Sequence, residues 1–246
     1  MLIDICLPVH NEEIVLEKNT LRLFEFCKKQ FFPFEWRIVI IINGSNDHSL
    51  EIARTLASHN EKIIVKNIVT PGRGKALATY WLESSADIVA YMDCDLAVEL
   101  NSLPPLLFKI IDKEADLVIG RRLGPGVKIK RSINREIISR CFNFLAKKFL
   151  GHSHRDLQCG FKSINRLVYL KLSPFINNDG WFFDTEIITW ADQLSYKVLE
   201  LPVNWQETRF DIRKSKVKLV KDSLYFIENL YKLRKKIKFF KKTSQL

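Results

Sequence analysis

The chain has 246 residues, 47% of them hydrophobic and 27% charged, which is long and apolar enough for one full core and argues against a disordered chain. Its five cysteines, Cys6, Cys27, Cys94, Cys141 and Cys159, are odd in number and show no C-x-x-C spacing, so neither a disulfide framework nor a zinc site is indicated and a reducing cytosol fits. The formal net charge of +11 sits mostly in residues 203–246, with 13 Lys/Arg against 4 Asp/Glu; the preceding body carries 26 against 24, too near neutral for a nucleic-acid-binding domain.

The N-terminus enters an apolar run, Leu2–Val9, with no basic leader before it, and no run approaches the roughly 20 residues that span a bilayer. Leu2–Val9 reads as a strand stopped by Pro8 and the polar His10-Asn11-Glu12-Glu13. Asn11 is placed to cap a helix from Glu12 to about Gln30. Trp36–Ile42 is a second buried strand, broken by Asn43-Gly44-Ser45, and a helix follows over Asp47–Ser58 with Asp47 as its cap. Ile63–Val69 is a third strand, Pro71-Gly72-Arg73-Gly74-Lys75 a loop, Ala76–Ser84 a helix and Ile88–Met92 a fourth strand. Leu103–Ile111 is helical and Leu117–Gly120 is a short strand. Strands alternating with helices of this length predict a parallel sheet with right-handed crossovers, an α/β nucleotide-binding half over residues 1–120.

Beyond Gly120 the texture changes. Residues 121–135 hold six Arg or Lys, no acid and Gly124-Pro125-Gly126, the pattern of a basic loop. A helix to about Leu150, a short helix near Arg166–Leu172, a helix reaching Leu194 and a strand at Val198–Val203 complete an acceptor half over residues 121–205. In the segment 206–246, apolar residues at 220, 224, 227, 230, 231, 233 and 237 recur near helical spacing with lysines between them. This reads as a basic amphipathic helix at a membrane surface, or as a last helix docked on the body with a solvated cationic face.

The fourth strand ends in Asp93-Cys94-Asp95. Two carboxylates one residue apart repel unless a cation or proton lies between them. At the carboxyl edge of a parallel sheet, where such sheets bind ligands, a Mg²⁺ or Mn²⁺ that also takes substrate phosphates is the natural partner. A solvated turn is the bland reading of the same three residues. Gly72-Arg73-Gly74-Lys75 opens a helix whose N–H groups favour anions, although Lys75 equally suits a solvated surface and the full Walker pattern is missing. His152 and His154 form an H-x-H with no further ligand in sequence and read as loop residues.

Taken together, Leu7-Pro8-Val9-His10-Asn11-Glu12-Glu13, Asn43-Gly44-Ser45-Asn46-Asp47, Gly72-Arg73-Gly74-Lys75-Ala76-Leu77, Tyr91-Met92-Asp93-Cys94-Asp95-Leu96, Gly120-Arg121-Arg122, Asp156-Leu157-Gln158-Cys159-Gly160-Phe161-Lys162, Phe183-Asp184-Thr185-Glu186 and Leu201-Pro202-Val203-Asn204-Trp205 resemble, in order and spacing, a family 2 glycosyltransferase of GT-A fold. The resemblance is to the dolichyl-phosphate and polyprenyl-phosphate mannose or glucose synthases. It implies an inverting transfer of a hexose from a nucleotide-sugar, of UDP-glucose or GDP-mannose type, to a polyprenyl phosphate at the cytoplasmic face of a membrane. It implies a metal on Asp93 and Asp95, and nucleotide-sugar contacts from Pro8, His10, Asn11, Glu12, Asn43, Gly74, Lys75, Cys94 and Arg122. Helix capping is a second role for Asn11 and Glu12. Arg131, Arg135, Asp156, Gln158, Arg209 and Lys216 are implied on the phosphate and acceptor side, and Asp184, counted with Asp93 and Asp95 among the catalytic residues, faces that side with Asp156 to orient sugar or lipid phosphate; solvated charge or structural hydrogen bonding is the alternative at each.

The chain departs from the family at two places. Ile42 stands where relatives carry an acid that reads the base, and Ala97 where a glutamine often assists the metal. A phosphate acceptor is already ionised and needs no general base, whereas a sugar hydroxyl acceptor does, and Asp184 is the carboxylate for that alternative. A catalytically silent scaffold is the remaining reading. A multi-span membrane protein is an expected partner, nucleic acid is not.

Overall fold

In the computed structural model, which describes residues 1–30, 32–130, 133–206 and 219–243, the apolar runs form a seven-stranded sheet buried on both faces. The first four strands are β1 (Leu2–Val9), β2 (Glu35–Asn43), β3 (Ile63–Ile68) and β4 (Ile88–Met92); β5 (Leu117–Arg121), β7 (Phe161–Asn165) and β8 (Val198–Pro202) complete it in the order β3-β2-β1-β4-β7-β5-β8. A two-residue strand β6 (Ile129–Lys130) lies between β5 and β7 in sequence and pairs in parallel with β9 (Trp205–Gln206) outside the main sheet.

Side-chain alternation divides the core. Ile3, Ile5, Leu7 and Val9 of β1 and Ile38, Ile40 and Ile42 of β2 face one layer, while Cys6, Val39 and Ile41 face the other. The first layer is closed by α1 (Leu16–Lys29), α2 (Ser49–His59) and α4 (Leu103–Ile111). The second is closed by α3 (Arg73–Glu83), α6 (Arg166–Leu172) and α7 (Phe183–Gln193), with α5 (Ile133–Leu150) and α8 (Leu219–Thr243) outside them.

The sheet carries one strand that periodicity does not announce. β7 runs antiparallel to both β4 and β5 and separates them in a sheet expected from the alternation of elements to be parallel. Its sequence, Phe-Lys-Ser-Ile-Asn, sets two polar residues among four fully buried positions: Lys162 and Ser163 are 0% exposed, as are Phe161 and Ile164. Ser163 donates its hydroxyl to the Leu106 carbonyl at 2.9 Å, and Lys162 is held by an ion pair described below.

Helix boundaries shift for local reasons. α1 begins at Leu16, not Glu12, and Asn11 does not cap it; Asn11 is in the left-handed region at φ 52° and its Oδ1 accepts from the Asn46 amide at 2.9 Å. Asp47 does satisfy the first turn of α2, accepting from Ser49 N at 3.0 Å. The C-terminal helix splits the apolar set predicted for one face. Leu230, Leu233 and Ile237 are buried, and Phe240 packs edge-on against Trp190 and Phe175. Leu224, Ile227, Tyr231 and Phe239 point outward among lysines. Thus α8 docks on the body and still presents a mixed apolar and basic outer face.

Candidate active site

Six of the seven main strands run the same way, so their carboxyl ends meet at one edge. There β1 releases His10, β2 ends in Asn43, β4 releases Asp93 and β5 releases Arg122, while antiparallel β7 brings its opening residues, after Gly160, to the same place. The sheet therefore gathers residues that are up to 150 positions apart in sequence.

The turn after β4 is tight. Leu96 adopts φ 49° and donates its amide to the Asp93 carbonyl at 3.0 Å, which folds Asp93-Cys94-Asp95 back on itself. Asn19 of α1 pins the turn by donating to the Cys94 carbonyl at 2.9 Å, and Asp95 Oδ1 accepts from the Ala97 amide at 3.3 Å. Asp93 fits only because residue 160 has no side chain: a Cβ on Gly160 would lie 2.1 Å from Asp93 Oδ2. A small hollow beside Asp93 is lined by Met92, Ala97, Val98, Gly160 and Trp205.

Two hard carboxylates at an open sheet edge, one given room by a glycine, are the donor set Mg²⁺ or Mn²⁺ takes when phosphate oxygens and water complete the shell. No cluster of three or more His, Cys, Asp or Glu suited to a metal occurs among the described residues. These residues fit a metal that arrives with a polyphosphate, and Ala97 adds no ligand to it.

At the ends of β1 and β2, backbone contacts dominate. His10 Nδ1 lies 2.7 Å from the Asn43 carbonyl, and Asn43 Oδ1 accepts from the Gly72 amide at 2.7 Å. The Glu12 amide donates to Ser49 Oγ at 2.9 Å, and Asn11 N donates to Ser45 Oγ at 3.0 Å. Pro8 is half-buried beside them. Ile42, at the position where the resemblance implied an acid, is 1% exposed and belongs to the core.

The glycine loop opening α3 is packed closely against the loop before α7. A Cβ on Gly74 would meet the Asn178 carbonyl oxygen at 2.5 Å, Phe183 Cβ at 2.6 Å and the Gly180 carbonyl oxygen at 2.8 Å. The Lys75 amide donates to the Asp179 carbonyl at 3.1 Å. The close approach the glycine permits is to the loop before α7. Gly74→Ala is accordingly expected to destabilise the fold by about 1–3 kcal/mol through overpacking, measured as a lowered thermal midpoint. An unchanged midpoint would show that the 178–180 loop is not held against α3.

Behind the edge lies a buried ionic network. Tyr91 and Lys162 face each other across β4 and β7 and leave the sheet on the same side. Asp184, 1% exposed on α7, accepts from Lys162 Nζ at 2.9 Å, from Arg73 Nη1 at 3.0 Å and from the Tyr91 hydroxyl. Burial alone would raise the Asp184 pKa, but Lys162 and Arg73 outweigh it and hold the carboxyl below the ordinary range. Burial drives the Tyr91 phenol up, so it stays protonated and donates. Arg73 also lies 3.4 Å from Asp93 Oδ1 and 3.1 Å from the Tyr91 hydroxyl, with its guanidinium between the rings of Tyr91 and Trp181.

A second pair stands at the end of β5. Arg122 grips Asp156 bidentately, Nε to Oδ2 at 2.8 Å and Nη2 to Oδ1 at 3.0 Å, and its amide adds a bond to Oδ2 at 2.9 Å. Asp156 is fully buried; burial would raise its pKa, and Arg122 brings it below the usual carboxylate range. Gln158 donates to Thr185 Oγ1 at 2.6 Å. Asp156 and Gln158, predicted on the acceptor side, thus use these contacts to fix Arg122 and α7.

The structure brings Pro8, His10, Asn11, Glu12, Asn43, Asp93, Cys94, Asp95 and Arg122 to one edge. It sets Gly74, Asp156, Gln158 and Asp184 in supporting packing, and Lys75 on the first turn of α3. Arg131, Arg209 and Lys216 lie outside the described residues, as does the side chain of Arg135. Arg73, Trp181 and Lys162 were not singled out from sequence. A basic residue between two glycines and a lysine in an apolar-flanked strand were the available signals.

A family model described as Glycosyl transferase family 2 matches residues 4–172. Glycosyltransferase AglD of Haloferax volcanii is 32% identical over 90% of this chain, and the chain spans 35% of that protein's length. Dolichyl-phosphate beta-glucosyltransferase of Saccharomyces cerevisiae is 27% identical over 94% of the chain and 74% of its own length. Glucosyl-3-phosphoglycerate synthase of Mycobacterium tuberculosis, solved with UDP, superposes with a TM-score of 0.70 at 20% identity, covering 94% of this chain and 79% of its own. The same enzyme has been solved with Mn²⁺, UDP and phosphoglyceric acid, again at a TM-score of 0.70, with 18% identity and 94% and 78% coverage. These likenesses match the mostly parallel sheet and flanking helices of the GT-A fold.

Proposed function

Because the chain belongs to glycosyl transferase family 2, we propose that it transfers a hexose, with inversion, from a nucleoside diphosphate sugar to a polyprenyl phosphate. The observation that carries the choice of acceptor is the state of Asp184. It is buried, bound to two cations and a phenol, and held below the ordinary carboxylate range. A carboxylate so stabilised is a poor general base, so it does not serve a hydroxyl acceptor. A phosphate acceptor arrives ionised and requires positioning and charge neutralisation instead. The dolichyl-phosphate glucosyltransferases among the relatives support the same acceptor class and make UDP-glucose the first donor to test.

In this reading Asp93 and Asp95 hold a Mg²⁺ or Mn²⁺, which when bound supplies positive charge to the departing diphosphate. Pro8, His10, Asn11, Glu12 and Asn43 form the nucleoside end, and Arg122, fixed by Asp156, presents a fixed positive charge at the edge. Arg131, Arg135, Arg209 and Lys216 complete the phosphate side, and Lys75 adds charge at the start of α3. No helix among the described residues is long and apolar enough to cross a membrane. The outer face of α8, with Leu224, Ile227, Tyr231 and Phe239 among lysines, supports contact with the cytoplasmic surface of an anionic bilayer.

Incubation with radiolabelled UDP-glucose, Mn²⁺ and a polyprenyl phosphate is expected to place label in a butanol-extractable lipid that mild acid releases. Label confined to an acid-stable glycan or glycolipid would instead assign a hydroxyl acceptor.

A further inference from the structure

The loop before α7, residues 177–181, is held from two sides. On one side it lies against the turn that opens α3. The Lys75 amide donates to the Asp179 carbonyl at 3.1 Å, and a Cβ on Gly72 would meet that same carbonyl oxygen at 2.7 Å. Trp181 ends the loop with its ring centroid 4.7 Å from the Arg73 guanidinium carbon. The turn in its own right touches both ends of the candidate site. The Gly72 amide donates to Asn43 Oδ1 at 2.7 Å, and Arg73 Nη2 lies 3.4 Å from Asp93 Oδ1.

On the other side the loop is held by α8, and Asn178 is the joint. Its Nδ2 donates to the Tyr225 hydroxyl at 2.7 Å and to Asn229 Oδ1 at 3.2 Å, and the Tyr225 hydroxyl donates back to Asn178 Oδ1 at 2.9 Å. The same Oδ1 accepts from the Gly180 amide at 2.9 Å, so the group that α8 grips also shapes the loop. A Cβ on Gly180 would lie 3.2 Å from the Tyr225 oxygen. Glu186 adds a second tie: its Oε2 accepts from the Asn177 and Asn178 amides at 2.9 and 2.7 Å, and its Oε1 is 3.8 Å from Lys236 Nζ. Leu230, Leu233 and Ile237 give α8 its apolar seat, and apolar contact is non-directional. Tyr225 and Asn229, one turn apart, add directional bonds whose partner is the loop. Contacts as close as those at Gly72 and Gly74 leave no room for the loop to shift without the turn shifting too.

Resting on the nucleotide-sugar reading above, we infer that Tyr225 and Asn229 of α8 are positioning residues for the reaction. Through Asn178 they hold the 177–181 loop, and with it Trp181, Arg73 and the Gly72 turn, in the arrangement that binds the nucleoside diphosphate with its metal. The helix whose outer face suits a lipid surface is by its inner polar residues part of the framework of the site.

The test is UDP affinity of the full chain by calorimetry with Mn²⁺, well below the thermal midpoint and with no lipid present, so that membrane contact plays no part. Tyr225→Phe removes one hydroxyl and keeps the ring; it is expected to stay folded and to bind UDP about tenfold more weakly than wild type. Asn178→Ala is expected to weaken binding as much or more, and the double variant no further than Asn178→Ala, because both act through one joint. Trp181 fluorescence, taken as the difference from Trp181→Phe, is expected to become more open to iodide quenching in Tyr225→Phe. A joint that serves stability alone lowers the thermal midpoint and leaves UDP affinity and Trp181 quenching at wild-type values; that result overturns the inference, as do additive losses in the double variant. Should Tyr225→Phe not fold, Asn229→Ala decides on the same two readouts: weaker UDP binding with greater quenching supports the inference, and unchanged values overturn it. Wild type that binds no UDP with Mn²⁺ removes the nucleotide reading itself, and this inference with it.

Discussion

Asp184→Ala is expected to cost the fold about 3–5 kcal/mol, a large part of the stability of an ordinary domain. The reason lies in what remains. Lys162 is 0% exposed, its ammonium sits 2.9 Å from Asp184, and its other partners are the Cys159 carbonyl and the Tyr91 hydroxyl at 3.4 Å. Removing the acid strands a buried ammonium and deprives Arg73 of its strongest bond. Asp184→Asn preserves shape and costs less, and it also reports on pH. The folded Asp184 carboxyl lies below its unfolded value of about 3.9. Its stabilisation is therefore complete above that value and is lost as the pH falls through the lower folded one. Asp156 is depressed in the same direction and contributes in the same window. Urea midpoints from pH 7 down to pH 3 are expected to fall more steeply for wild type than for Asp184→Asn. Parallel profiles would show that the acid carries no buried charge.

Asp93→Asn and Asp95→Asn are each expected to lower kcat/KM on the order of 10²–10³-fold, the scale of losing one preorganised charge at a developing anion. Stability is expected to change by no more than about 1 kcal/mol. Asp93 is 28% exposed and opposes Gly160, and an amide occupies the same volume; Asp95 Oδ1 keeps its acceptor role toward Ala97 as an amide oxygen. The double variant is expected to lose little more than either single one, because both acids act through one bound cation and half a site is no better than none. Loss of fold in step with loss of activity would mean the acids are structural.

The parallel core was legible because its signal is physical and local. Runs such as Ile38–Ile42 are apolar without alternation, as strands buried on both faces must be, and they end at polar stops that became the site. The carboxylate pair was legible for the same reason: it follows directly on one of those runs. β7 was hidden because Lys162 and Ser163 are polar residues in fully buried places, and only the fold supplies the acid and carbonyl that satisfy them. Asp184 and Asp156 were visible as residues but not as roles. Whether an acid meets a substrate or a buried cation depends on which distant Arg or Lys the sheet sets beside it, and neither Arg73 to Asp184 nor Arg122 to Asp156 is a local pair. That the glycines of the loop before α3 let the 178–180 backbone approach closely was not legible, because that backbone lies about a hundred residues away in sequence. In the C-terminal helix a lysine-rich apolar repeat fitted two faces equally, and burial of Leu230, Leu233 and Ile237 settles which one is inward.

The most direct test of the central claim is UDP affinity by calorimetry for wild type and for the double variant Asp93→Ala/Asp95→Ala, each with Mn²⁺ and with chelator. Wild type should bind far more weakly once the ion is removed, and the double variant should bind weakly in both conditions. A double variant that binds UDP as tightly as wild type, with the same loss on chelation, would place the cation elsewhere and contradict the account.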